Sequence, residues 1–252
     1  MIIADMRKEA SMLARLRHDN ILNFQGLVVD ASGTPKYIIT ERAVSNLSGY
    51  LEARSRGGKL TRAELTKICK HVLRGLVYLH TLDPPVVHRD IKPENILVCD
   101  VDGTISFKIG DVGLARFATS STFTAAGTLL YMAPELLEGS DDIRCDVFSF
   151  GMMAAQLVLE HIASASASLG SDYGMKGRFR AVEDAARLVG EPLASVLRGC
   201  TQKRAEDRLH AVEALVDVEG PGDAAVCTCI IDEPRRVVLA RQADAGDRDK
   251  PN

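Results

Sequence analysis

Residues 88–97 read His-Arg-Asp-Ile-Lys-Pro-Glu-Asn-Ile-Leu. Asp90 is a carboxylate able to accept a hydroxyl proton, Lys92 a cation able to meet a phosphate, and Asn95 an amide able to ligate a hard metal ion. Asp111-Val112-Gly113 follows and offers a second metal-ligating carboxylate. Such ligands work together only if two neighbouring loops converge on one cleft. That requirement restricts the fold more than any other feature of the chain.

The rest of the pattern is compatible with it. Met6, Met12, Leu13 and Leu16 recur at helical spacing and end at Arg17-His18-Asp19-Asn20. Apolar runs at 21–29 and 37–40 flank the turn Ala31-Ser32-Gly33-Thr34-Pro35, which predicts a helix followed by a hairpin. Over 61–81, Leu65, Ile68, Cys69, Val72, Leu73, Leu76 and Leu79 fall on one helical face. Thr61 with Glu64 predicts a capping box at its start, and Asp83-Pro84-Pro85 a stop. Runs at 96–99 and 105–109 flank Asp102-Gly103, a strong hairpin signal. Helices are predicted over about 146–160, 181–189, 192–199 and 205–217, with a Ser/Ala-rich loop at 163–170. Weak strands are expected at 225–231 and 237–240, and disorder over the last ten residues.

The 252 residues are 46% hydrophobic, enough for a real core. A net charge of −3 is too close to neutral to argue for nucleic acid or an acidic membrane surface, and no nucleic-acid partner is expected. The most apolar stretch, 147–159, is too short to span a bilayer and reads as a buried core helix. Met1-Ile2-Ile3-Ala4-Asp5 is charged too early for a signal peptide. Of the six cysteines, five lie in or beside apolar runs; Cys227 and Cys229 form a weak CxC. The expectation is a reduced, cytoplasmic protein.

The run at 88–97, Asp111-Val112-Gly113 and Ala133-Pro134-Glu135, in this order, resemble the catalytic loop, metal-binding turn and activation-segment end of eukaryotic protein kinases. The resemblance covers about 5–218 and implies an α+β, bilobal, protein-kinase-like fold. It implies a kinase domain at 1–218, with an incomplete small lobe at 1–41, a mainly helical large lobe at 44–218, and a tail at 219–252. Asp90 and Lys92 become the catalytic residues, the first orienting the substrate hydroxyl and the second neutralising charge on the transferred group. Asn95 and Asp111 would hold Mg²⁺. ATP would be bound by Thr40 (the gatekeeper), by Glu41 to Ala43 (the hinge), and by Leu97, Asn95 and Asp111. Glu9 is implied as the glutamate of the αC helix, Glu135 and Arg208 as a buried ion pair, Asp146 as a brace for the catalytic loop, and His88 as structural. Lys92 and Thr128 resemble serine/threonine kinases, and 146–151 with the αC-to-hinge stretch the tyrosine-kinase-like group. Protein substrates follow as partners. An upstream activating kinase is implied for Thr119, Ser120, Ser121, Thr122 or Thr124, with Arg89 placed to pair an added phosphate.

Two departures from the family stand out. Only eight residues precede Glu9, so these 252 residues hold no glycine-rich loop and no β3 lysine. Lys8 diverges from Glu9 by about 100° around a helix and does not replace it. The chain is therefore expected to be weak or inactive by itself, either as part of a longer kinase or as a pseudokinase acting as a binding scaffold. Val112 stands where the family has Phe, which predicts looser packing in a column with Leu13, Phe24 and His88. A small-molecule phosphotransferase shares an Asp…Asn loop but lacks the activation segment and the Ala-Pro-Glu motif.

Overall fold

The computed structural model describes residues 10–55, 58–112, 126–137, 139, 142–162 and 174–219. Glu9, Lys8, Gly113, the hydroxyls at 119–124, the loop at 163–170, Cys227, Cys229 and the tail all lie outside the described residues. A helical turn at 10–13 leads into β1 (Phe24–Val29) and β2 (Pro35–Thr40), which pair antiparallel as a two-stranded sheet. Asp30 closes their turn by accepting the amides of Ser32 and Thr34, each at 2.9 Å.

A second sheet has three strands in the order β3 (Ser45–Asn46), β4 (Ile96–Val101), β5 (Thr104–Ile109). Asp102 and Gly103 both take positive φ, 51° and 80°, as a type I′ connection requires. The Asp100 side chain locks the turn by accepting the Gly103 amide at 2.9 Å.

Helices make up the rest: α1 (Leu47–Ser55), α2 (Arg62–Thr81), α3 (Ala126–Tyr131), α4 (Pro134–Leu137), α5 (Arg144–His161), α6 (Met175–Val189), α7 (Leu193–Cys200) and α8 (Ala211–Glu219). In α2 the capping box forms as expected: Thr61 accepts the Glu64 amide at 3.2 Å and Glu64 accepts the Thr61 amide at 2.9 Å. The seven apolar residues of its predicted face are all buried. The run at 147–159 is the buried middle of α5, on which α6 and α7 pack. Gly190 takes φ 65° at the end of α6, a position that favours glycine.

One expectation changes in detail. Instead of a single helix over 205–217, a 3₁₀ turn at Ala205–Asp207 is followed by extended backbone at Arg208 (ψ 150°), and only then by α8. Arg208 is 3% exposed and donates to the carbonyls of Gln202 and Lys203 at 2.6 and 2.9 Å. Satisfying that buried guanidinium outweighs the helical pattern. No helix among the described residues is long and apolar enough to cross a membrane.

Candidate active site

The 88–97 run folds as a loop closed by a 3₁₀ turn, Pro93–Asn95, that delivers the chain into β4. Asn95, 7% exposed, donates its amide nitrogen to the Asp90 carbonyl at 2.7 Å and to Asp90 Oδ2 at 2.8 Å. Lys92 Nζ meets the same Oδ2 at 2.7 Å. Three side chains chosen from the sequence are thus one cluster. One carboxylate oxygen of Asp90, Oδ2, is committed to its neighbours in the loop. Because the nitrogen of the Asn95 amide is spent on Asp90, its oxygen is the atom that could meet a cation. That donor set, an amide oxygen with the nearby Asp111 carboxylate, suits a hard ion such as Mg²⁺.

Asp111 is brought to the loop through Gly110. The Gly110 amide donates to the Asn95 carbonyl at 2.8 Å, and its carbonyl accepts from His88 Nε2 at 2.8 Å. A Cβ at Gly110 would lie 2.9 Å from Leu97 Cδ1, so the glycine lets the chain pass directly over Leu97. Asp111 itself is exposed, at φ 51°. His88 is wholly buried and also accepts the Asp90 amide on Nδ1 at 3.2 Å. Those two bonds use one ring N–H and one lone pair, the neutral Nε2–H tautomer.

Behind the loop stands Asp146, also wholly buried. Its Oδ2 meets the His88 amide at 2.8 Å and His80 Nε2 at 2.9 Å, and its Oδ1 accepts the Arg89 amide at 2.6 Å. Burial alone would raise the Asp146 carboxyl. The hydrogen bond and charge of His80, with the hydrogen bond from the His88 amide, reverse this and hold it below the usual carboxylate value. Arg89 is accordingly fixed at φ 67°, a left-handed conformation that this buried bracing sustains. Arg208 forms a two-pronged ion pair with Glu135, anchoring Ala133-Pro134-Glu135.

The segment from Thr40 to Ala43 joins the two sheets. Thr40 is half-buried and its hydroxyl donates to the Glu41 carbonyl at 3.2 Å. The Val44 amide bonds the Val98 carbonyl at 2.8 Å, and Asn46 pairs with Leu97, so the segment after Ala43 runs antiparallel along β4. The Glu41 side chain is engaged structurally, with Lys108 at 2.8 Å and the Asn23 amide at 2.7 Å.

Sequence reasoning missed Lys108 and Arg178. Arg178, 4% exposed on α6, reaches the carbonyls of Leu129 and Met132 at 3.1 and 2.6 Å and supports the chain ahead of Glu135. Neither belongs to a local motif; both are legible only once distant elements meet. Cys69, Cys99, Cys145 and Cys200 are buried, and burial raises all four thiols, Cys69 to about 12, so they act as apolar filling.

A family model described as the protein kinase domain matches residues 2–217. The chain belongs to the protein kinase domain family. It is 39% identical over 158 residues to a serine/threonine-protein kinase WNK of Caenorhabditis elegans, covering 60% of this chain and 8% of that protein. It is 33% identical over 215 residues to a serine/threonine-protein kinase Wnk of Drosophila melanogaster, covering 83% of this chain and 8% of the relative. Serine/threonine-protein kinase WNK3 of Mus musculus is 29% identical over 212 residues, 83% of this chain and 12% of the relative. The chain thus spans a small part of each relative's length. Its small sheet and mainly helical lobe are the α+β architecture of a protein kinase domain, a family that generally uses ATP with Mg²⁺ and acts on proteins.

Proposed function

We propose that this chain carries the phosphoryl-transfer centre of a serine/threonine protein kinase, moving the γ-phosphoryl group of ATP to a protein hydroxyl. The observation that supports it most is the shared oxygen: Asp90 Oδ2 held at once by Lys92 (2.7 Å) and Asn95 (2.8 Å). Asp90 then presents its other oxygen to the substrate hydroxyl and takes its proton as the new O–P bond forms. The γ-phosphorus leaves the bridging oxygen of ADP. Lys92 offsets negative charge on the moving group. Asn95 and Asp111 would hold Mg²⁺, which would neutralise charge on the phosphate oxygens. Thr40, the Glu41–Ala43 backbone and Leu97 enclose adenine.

The same reading takes protein substrates in the cytoplasm and an upstream kinase acting on the hydroxyls at 119–124. Membership of the tyrosine-kinase-like group rests on 146–151 and the αC-to-hinge stretch.

The test is ATP·Mg²⁺ turnover on a generic protein substrate by this chain and by Asp90→Asn. Removing a general base lowers turnover by about 10²–10⁴-fold. Equal background rates in both proteins would reject catalysis by this polypeptide and leave the binding-module reading.

A further inference from the structure

The face of α2 turned away from the core carries Arg62, Thr66, Lys67, Lys70, His71 and Arg74, which line a groove of about 510 Å³. The positions recur at three- and four-residue steps, so the helix stacks them on one side. The charge on that side is unusually one-signed for a chain of net charge −3. Glu64, at the start of the helix, is turned to the Thr61 cap and to Arg54 at 2.5 Å. Glu219 borders the other end, where it meets Arg74 at 2.5 Å with its side chain only 2% exposed. Arg62 and Lys67 are exposed and form no ion pair among the described residues. His71 adds a neutral wall, its Nδ1 accepting the Phe107 amide at 3.1 Å. Exposed α6 behaves differently: Asp184 pairs with Arg187 at 3.1 Å, and Glu183 with Arg198 at 3.0 Å.

We propose that this groove docks an acidic, extended segment of a protein partner, whose carboxylates meet Arg62, Lys67, Lys70 and Arg74. At about 1.5 Å rise per residue the four cations span about 18 Å, with axial steps of about 4.5–7.5 Å. An extended peptide advancing about 3.3 Å per residue covers that span in five or six residues and presents same-side carboxylates about 6.6 Å apart. The match in spacing favours discrete carboxylates on a chain. A concave site with no exposed large apolar side chain of its own has little to insert into a bilayer. The chain's net negative charge disfavours a nucleic acid.

The test is fluorescence anisotropy, without nucleotide, of a labelled octapeptide alternating aspartate and alanine, titrated with the full chain. A serine–alanine octapeptide is the control. Vesicles of phosphatidylcholine with phosphatidylserine, and a short DNA duplex, are titrated in parallel. The aspartate peptide is expected to bind at least about tenfold tighter than the serine peptide and to weaken as salt shortens the screening length below about 10 Å. Arg62→Glu with Lys67→Glu should weaken it by about tenfold or more, with an unchanged melting temperature. Arg62→Glu, at the exposed first turn, should weaken it about threefold and serves if the double variant does not fold. Equal binding of both peptides, or unchanged binding in the folded variants, overturns the proposal. So does tighter, variant-sensitive binding of vesicles or duplex, which would reassign the face to a membrane or to nucleic acid. Because the readout is binding and not turnover, its failure leaves the phosphoryl-transfer reading intact, and the converse also holds.

Discussion

Asp146, in the first turn of α5, gives both carboxylate oxygens to buried partners and is 0% exposed, whereas the β1–β2 hairpin leaves Val29, Ile39 and Tyr37 at 47%, 44% and 70% exposure. On one side the buried carboxylate and the His88 and Arg89 amides are enclosed because they are paired with one another. On the other, apolar side chains face water and only the opposite face, through Phe24 and Ile38, packs on the core. The lesson concerns where the site takes its rigidity. Asp90, Asn95 and Asp111 are held from behind by α5 and by the β4–β5 hairpin, not by the small sheet. The two regions join through a narrow strap: Ile109 accepts the Leu22 amide and donates to the Asn20 carbonyl, both at 2.9 Å.

If the contrast is right, Asp146→Ala should have the largest effect. It strands the amides of His88 and Arg89 together with His80 in a dry site, and a loss of about 3–5 kcal/mol in denaturant unfolding is expected. A loss under about 1 kcal/mol would mean the loop is held from elsewhere.

The strap is the next target. A Cβ at Gly75 would lie 2.8 Å from Ile109 Cδ1 and 2.9 Å from the Asn20 carbonyl, and a backbone oxygen has little room to yield. Gly75→Ala should therefore cost about 1–3 kcal/mol despite its better helix propensity. A stabilised variant would show that the sheets are not coupled across this helix.

A gentler probe is pH. Burial first, then the charges of Lys67 and Arg74, lower His71 from 6.5 to about 4. Between those values the unfolded chain takes up a proton that the folded chain refuses. The stability linked to neutral His71 is thus complete above pH 6.5 and is lost as pH falls towards 4. His71→Gln should flatten that part of the melting-temperature profile; an unchanged slope would assign the fall to other groups.

The smallest effect belongs to the hairpin. Tyr37→Ser, on its open face, should shift stability by no more than about 0.5 kcal/mol. A large loss would show that the face is covered in solution, and the contrast with the Asp146 region would fail.

Much of this was legible in the sequence wherever an element is specified by its own neighbours. The capping box at Thr61, the face of α2 and the Asp102-Gly103 turn all appear where their local chemistry puts them. Helix α1 was not anticipated, because only Leu47 and Leu51 mark its buried side and two positions make no periodicity. The break at Arg208 was missed for a different reason: the helical pattern over 205–217 is local, whereas the backbone there is set by a buried guanidinium that must reach the Gln202 and Lys203 carbonyls and Glu135 at once. Among the site residues, Asp90, Lys92 and Asn95 could be read together since five positions of chain already hold them close.

By itself, then, the sequence determined the chemical inventory and the local elements: which oxygens and cations exist, which faces are apolar, where turns must bend. Only the tertiary structure decided that Lys108 would take Glu41, that Arg178 would carry the chain before Glu135, and that one face of α2 would be left cationic. The reason is physical. Helix and turn preferences act over a few residues, whereas the pairing of a buried or crowded charge depends on which distant segment the packed core brings within about 3 Å.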